Sequence, residues 1–184
     1  MTRHVPMLLS GLIVLLVTGV PIGYSFYSQS HIRNFHMVRE GVLYRSGQMS
    51  VPGLQSVIRD HGIKTVVSLR PADEVEEAFC RNEGINYYRI SPRPWEGVPQ
   101  FLEIMDDPEL HPILIHCYAG IHRTGAYSAI YRMEYEHWSN EQAIAELRAR
   151  GYTALGDEWN LLEFLEQYQP RWRKDPCLSV APDR

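Results

Sequence analysis

Short apolar runs alternate with amphipathic stretches along most of this chain. Val38 to Tyr44 has the alternation of a first strand, with a turn at Glu40-Gly41. Ser50 as N-cap and Pro52 in the first turn open a helix that runs to about Asp60, where Gly62 stops it. Ile63 to Leu69 is rich in β-branched residues and predicts a strand. Arg70 to Asp73 turns the chain into an acidic helix from about Asp73 to Asn82, ended at Gly84, and Ile85 to Ile90 is the next strand. A proline-rich loop, Ser91 to Pro99, precedes a short helix from Gln100 to Met105. The turn Asp106-Asp107-Pro108 leads to a buried apolar strand, Pro112 to Ile115. Ala126 to Tyr135 reads as a helix. Ser139-Asn140-Glu141-Gln142 is a capping box that opens another, running to about Arg150. Asp157 to Tyr168 is a last amphipathic helix that presents Leu161, Leu162, Phe164 and Leu165. Alternation of strand and helix predicts an α/β fold with a central, mostly parallel sheet flanked by helices.

One stretch departs from this rhythm. Met7 to Tyr24 is almost continuously apolar and about long enough for one bilayer crossing. It predicts an N-terminal transmembrane helix, so that the membrane joins the expected partners. A cleaved signal peptide competes, but the segment before the run carries only Arg3 and no clean Ala-x-Ala site follows. The very short N-terminal tail leans toward an exported domain. Residues 1–35 are then anchor and tether, 36–170 the catalytic domain and 171–184 a loose tail.

The totals narrow the classes. A chain of 184 residues holds one domain plus an appendage. A formal charge of −4 argues against a general nucleic-acid binder. Cys80, Cys117 and Cys177 have neither a disulfide-framework nor a zinc spacing, and an odd number leaves at least one thiol free.

The chemistry gathers at His116-Cys117-Tyr118-Ala119-Gly120-Ile121-His122-Arg123-Thr124-Gly125, where the buried strand ends and a helix begins. Backbone N–H groups of a tight strand-to-helix loop converge on an anion, and the helix N-terminus adds its positive end. The same field favours the thiolate of Cys117. Arg123, five residues further on, can grip two phosphate oxygens through its planar fork. Gly120 and Gly125 admit backbone approaches that a Cβ would block.

This stretch resembles the His-Cys-x5-Arg-Ser/Thr loop of the cysteine-dependent protein tyrosine and dual-specificity phosphatases. Leu43-Tyr44-Arg45-Ser46-Gly47-Gln48 also looks like the compact, atypical dual-specificity branch. The resemblance covers residues about 36 to 170. It implies a phosphoric monoester hydrolase without metal or cofactor, acting on phosphotyrosine or mixed phosphoproteins or on a small phosphomonoester. Cys117 would be the nucleophile, Arg123 the transition-state clamp and Thr124 the hydroxyl that steadies the departing thiolate. His116, Tyr118, Ala119, Gly120, Ile121 and His122 would frame the phosphoryl group, with His116 buttressing the loop.

The chain departs from the family in two respects. Relatives carry an acidic aspartate on the loop after the preceding strand, whereas Ser91 to Pro99 contains only Glu96. Glu96 is therefore the candidate general acid, with Asp73, Asp106 and Asp107 as alternatives. Members that act on inositol phosphates often carry lysines inside the loop. Tyr118, Ala119 and Ile121 stand there instead, which argues against a heavily phosphorylated inositol substrate; Arg89 and Arg93 could partly compensate. An inactive phosphate-binding module is the rival from another class, and a phospholipid or inositol phosphate substrate the rival within this one.

Overall fold

The computed structural model describes residues 13, 15–23, 31–156 and 160–174. Five strands form one sheet: β1 (His36–Arg39), β2 (Leu43–Ser46), β3 (Thr65–Ser68), β4 (Asn86–Arg89) and β5 (Ile113–His116), in spatial order β1-β2-β5-β3-β4. β1 and β2 are antiparallel, and the other neighbours are parallel. The expected first strand is thus a hairpin. The turn at Glu40-Gly41 reverses the chain, because Gly41 adopts φ +70. β5 lies between β2 and β3, and all four of its residues are buried. That position explains the uninterrupted apolar run Ile113-Leu114-Ile115.

The helices are α1 (Val51–His61), α2 (Glu74–Asn82), α3 (Pro94–Asp106), α4 (His122–Tyr135), α5 (Asn140–Ala149), α6 (Leu161–Gln167) and α7 (Arg171–Lys174). α1 starts at the expected Ser50 cap, whose Oγ accepts from the Gly53 amide, and ends at the left-handed Gly62. Both halves of the capping box at Ser139 and Gln142 are made. One apolar layer, with Phe101, Tyr127, Ile130 and Met133, packs α3 to α6 against one face of the sheet. Leu54, Val57, Val66, Cys80 and Leu114 form the layer beneath α1 and α2 on the other.

Several boundaries differ from those expected. The proline-rich segment is helical from Pro94, since Pro at the first helical position fits the required φ and its missing N–H has no partner to lose. Pro99 lies inside the same helix and gives up one backbone bond. α4 begins at His122, four residues before the first residue expected to be helical. Residues 157–159 and Cys177 lie outside the described residues. Of the expected tail, residues 171–174 are described and form α7. Arg171 pairs with Asp106 at 2.6 Å and with Glu134 at 2.9 Å, and Trp172 Nε1 donates to the Met133 carbonyl at 2.6 Å. These contacts dock α7 on α3 and α4.

The expected transmembrane helix requires correction. Among the described residues no helix is long and apolar enough to cross a membrane. Of the run Met7 to Tyr24, residues 7–12, 14 and 24 lie outside the described residues, and Leu15–Gly19 is a five-residue π-helical segment. Hydropathy registers how apolar a run is and not how its backbone bonds. Gly19, Pro21 and Gly23 follow one another at alternate positions, and both residue types weaken or interrupt α-helical bonding. The membrane partner and the exported placement inferred from that helix fall with it.

Candidate active site

Cys117 directly follows β5 and is 4 % exposed. The next four carbonyls are all held by donors from elsewhere. Tyr118 O accepts from the Gln48 amide at 3.0 Å. Asn34 Nδ2 donates to Ala119 O and Gly120 O, both at 3.1 Å. Arg45 Nη2 donates to Gly120 O at 2.8 Å and reaches Ile121 O at 3.4 Å, and Ile121 O also accepts from the Gly125 amide at 2.9 Å. In a trans peptide the N–H points opposite to the carbonyl. Tying these carbonyls down therefore turns the amides of Ala119, Gly120, Ile121 and His122 the other way, as an anion cradle requires. The Gly120 amide donates to Cys117 Sγ at 3.2 Å. Gly120 has φ +75, and a Cβ there would stand 2.3 Å from the Gly47 nitrogen. No other residue type fits without moving the backbone.

His122, Arg123 and Thr124 form the first turn of α4. The helix N-terminus thus lies immediately after the cradle. Thr124 is fully buried, and its Oγ1 has no hydrogen-bond partner among the described residues. His122 Nε2 lies 3.2 Å from the Thr153 carbonyl, and the ring packs against Tyr152. Tyr118 is 59 % exposed, with the guanidinium groups of Arg33 and Arg70 4.7 and 5.2 Å from its ring centre.

His116 is paired in register with Ser46 on one side and Ser68 on the other. Its Nε2 is 3.1 Å from Glu76 Oε1, an ion-pair distance without hydrogen-bond alignment, and Glu76 Oε2 accepts from the Tyr87 hydroxyl at 3.1 Å. His116 and Glu76 are both buried, so α2 braces the strand residue that precedes the cysteine.

Sequence reasoning missed Asn34, Arg45 and Glu76. Arg45 carries no mark of its own within Leu43 to Gln48, and Asn34 falls in the stretch expected to be a tether. One signal was legible: an arginine inside an otherwise buried strand needs partners. Arg45 is 1 % exposed, and burial, then the nearby Arg150, lowers its pKa to about 10. It remains cationic at neutral pH. His36 Nε2 lies 2.8 Å from Asn34 Oδ1, which leaves the Asn34 amide nitrogen facing the loop.

A family model described as the tyrosine phosphatase family matches residues 31–178. This chain belongs to that family. Among the relatives, an inositol diphosphatase of Arabidopsis thaliana is 29 % identical over 160 residues, covering 80 % of this chain and 75 % of its own. The dual specificity protein phosphatase TpbA of Pseudomonas aeruginosa is 28 % identical over 131 residues, covering 63 % of this chain and 53 % of its own. This chain spans about half the length of another Arabidopsis thaliana inositol diphosphatase, 51 %, at 33 % identity. The solved catalytic core of the PP-IP phosphatase SIW14 from S. cerevisiae superposes with a TM-score of 0.64 at 26 % identity, covering 77 % of this chain and 89 % of that one.

The four candidate acids occupy different places. Glu96 is in the first turn of α3, after β4 and so at the same end of the sheet as Cys117. Its carboxylate accepts from Ser91 Oγ at 2.7 Å and Arg93 Nη1 at 3.1 Å, and these two bonds hold its pKa below the usual glutamate range. Asp73 caps α2 and accepts from Gln48 Nε2 at 2.7 Å; the amide of the same glutamine holds Tyr118. Asp106 and Asp107 precede β5, whereas the cysteine follows it. They sit at the opposite end of the sheet, where Arg171 and Tyr135 engage Asp106 and the Glu109 amide engages Asp107.

Proposed function

We propose that this chain hydrolyses phosphate monoesters through a phosphocysteine, and that it favours leaving groups able to depart without a proton. The observation that carries the reading is the Gly120 amide on Cys117 Sγ, inside a loop whose carbonyls are all turned outward. The Cys117 thiolate attacks phosphorus in line, so that an S–P bond forms and the ester P–O bond breaks. Arg123 and the loop amides hold the equatorial oxygens as charge builds on them. Water then attacks the phosphocysteine, the S–P bond breaks, and inorganic phosphate leaves. Thr124 is suited to steady the thiolate in that second step.

The preference follows from the acids. Glu96 is kept charged by Ser91 and Arg93, and Asp73 is committed to Gln48 and to the start of α2. A group held as carboxylate is a poor proton donor at neutral pH. Phenolates depart more readily than alkoxides, so aryl phosphates, phosphotyrosine among them, are the expected substrates. A phosphoanhydride is the second reading, since a phosphate also leaves without help. Its support is the inositol diphosphatase names of several relatives. The test is phosphate release from p-nitrophenyl phosphate in the presence of a chelator. Turnover should persist there and exceed that of an alkyl phosphate. A rate no greater than that of buffer, or one abolished by the chelator, would overturn the proposal.

A further inference from the structure

At the Cys117 end of the sheet, one step from the cysteine loop, the loops after β3 and β4 line an open cleft of about 340 Å³. Arg70, Pro71, Arg89, Ile90, Ser91 and Pro92 line it. Two of these six residues are cations and none is an acid. Neither Arg70 nor Arg89 makes an ion pair among the described residues, although Arg59, Arg81, Arg93, Arg132, Arg150 and Arg171 all do. Ser91 Oγ donates to the Glu96 carboxylate, which Arg93 also pairs. Two unpaired guanidinium groups in one cleft repel each other unless an anion lies between them.

The cleft adjoins the catalytic loop. Arg70 faces the Tyr118 ring at 5.2 Å, and the Leu69 amide donates to the His116 carbonyl at 2.9 Å. β3 neighbours β5, and β4 lies one strand beyond. At about 4.8 Å per strand, the two arginines stand roughly 5–10 Å to one side of the reacting phosphorus. We propose that this cleft holds a second phosphoryl group of the substrate, with Arg70 and Arg89 as its ligands. The proposal rests on the phosphatase reading above and narrows it to substrates that carry two phosphoryl groups. It also supplies the charge that Tyr118, Ala119 and Ile121 do not.

The test compares inorganic phosphate and inorganic tripolyphosphate as competitive inhibitors of p-nitrophenyl phosphate hydrolysis. The ratio of the two inhibition constants reports the second site, because each variant's own affinity for phosphate is divided out. For the unmodified chain, tripolyphosphate should bind about 10-fold or more tighter, a difference of about 1.4 kcal/mol. The double variant Arg70→Gln, Arg89→Gln should bring the ratio close to one. Arg59→Gln, at the far end of α1, should leave it unchanged and so controls for loss of general positive charge. A ratio that survives the double substitution, or that falls equally in Arg59→Gln, would overturn the proposal. If no turnover is found at all, the phosphatase reading fails separately. Calorimetric titration of tripolyphosphate into the same proteins then still decides whether Arg70 and Arg89 form a site.

Discussion

Arg45 Nη2 and the Gly120 carbonyl oxygen meet at 2.8 Å across 75 residues of sequence. β2, next to the edge strand β1, thus fixes the Gly120–Ile121 peptide, while Asn34 holds the preceding one, whose amide faces Cys117 Sγ. Arg45→Met keeps most of the side chain's bulk and removes a desolvated charge, so its effect on stability should be limited. Gly120 O keeps Asn34 and Ile121 O keeps the Gly125 amide, so losing the charged donor should cost about 1.5–3 kcal/mol, readable from urea unfolding. kcat/KM should fall further, by roughly 10²-fold, as when one oxyanion donor is lost. Equal losses of activity and stability, each small, would remove Arg45 from the positioning of the loop.

Cys117→Ser should abolish turnover yet still bind inorganic phosphate, because the amide cradle and Arg123 remain. Arg123→Lys retains the charge without the fork and should lose about 10²-fold or more in kcat. Steady-state kinetics beside phosphate titration separates the two outcomes. A serine variant with appreciable activity would contradict the phosphocysteine route.

Glu96→Gln should change the rate little for an activated aryl phosphate. If Glu96 is nevertheless the acid, phenyl phosphate should lose about 10²–10⁴-fold and the basic limb of the pH–rate profile should flatten. Asp73→Asn under the same assay tests the other acid at the Cys117 end of the sheet. Leaving-group dependence in either variant would identify the proton donor. Its absence in both would agree with a donor-free departure.

The domain should begin before residue 36. The Ser50 amide donates to the His31 carbonyl, the Gly47 amide donates to the Arg33 carbonyl, and Asn34 holds the loop. A chain starting at His31 should be active, and one starting at His36 should lose at least 10-fold in kcat/KM. Asn34→Ala should reproduce part of that loss. If the shorter chain is fully active, these contacts have no part in shaping the loop.

Burial, with Arg150 and Arg45 nearby, lowers the pKa of His36 below its ordinary 6.5. The unfolded chain therefore takes up this proton at a higher pH than the folded chain does. The contribution is intact above the unfolded value and is lost as pH falls through 6.5 toward the depressed folded value. Melting temperature should drop on acidification across this window, and His36→Gln should remove part of the drop. An unchanged slope in the variant would show that His36 does not report on this coupling.

The cysteine loop was legible as a strand-to-helix junction because its residues are contiguous and directly follow the buried β5. The parallel sheet was legible because each apolar run and each cap, such as Ser50, Gly62 and Ser139, is local. What escaped was long-range. Asn34, Arg45 and Glu76 lie about 40 to 85 positions from the loop residues they meet, and no local pattern marks such pairings. α3 was read as a loop because proline is a poor helix interior residue, yet Pro94 sits where its missing N–H does no harm. The apolar run at the N-terminus was read by hydropathy, a measure that ignores what Gly19, Pro21 and Gly23 do to helical bonding.

The back-to-back contact of Gly47 and Gly120 has a consequence for anyone transplanting this site. The ten-residue motif is not a portable cassette. Grafted onto another strand–helix junction without a second glycine turn behind it, the loop would meet side chains where it needs bare backbone, and its carbonyls would lack the amide, asparagine and arginine that restrain them. A library selected for phosphatase activity should accordingly fix positions 47 and 120 together, although neither residue has a side chain to bring to the site.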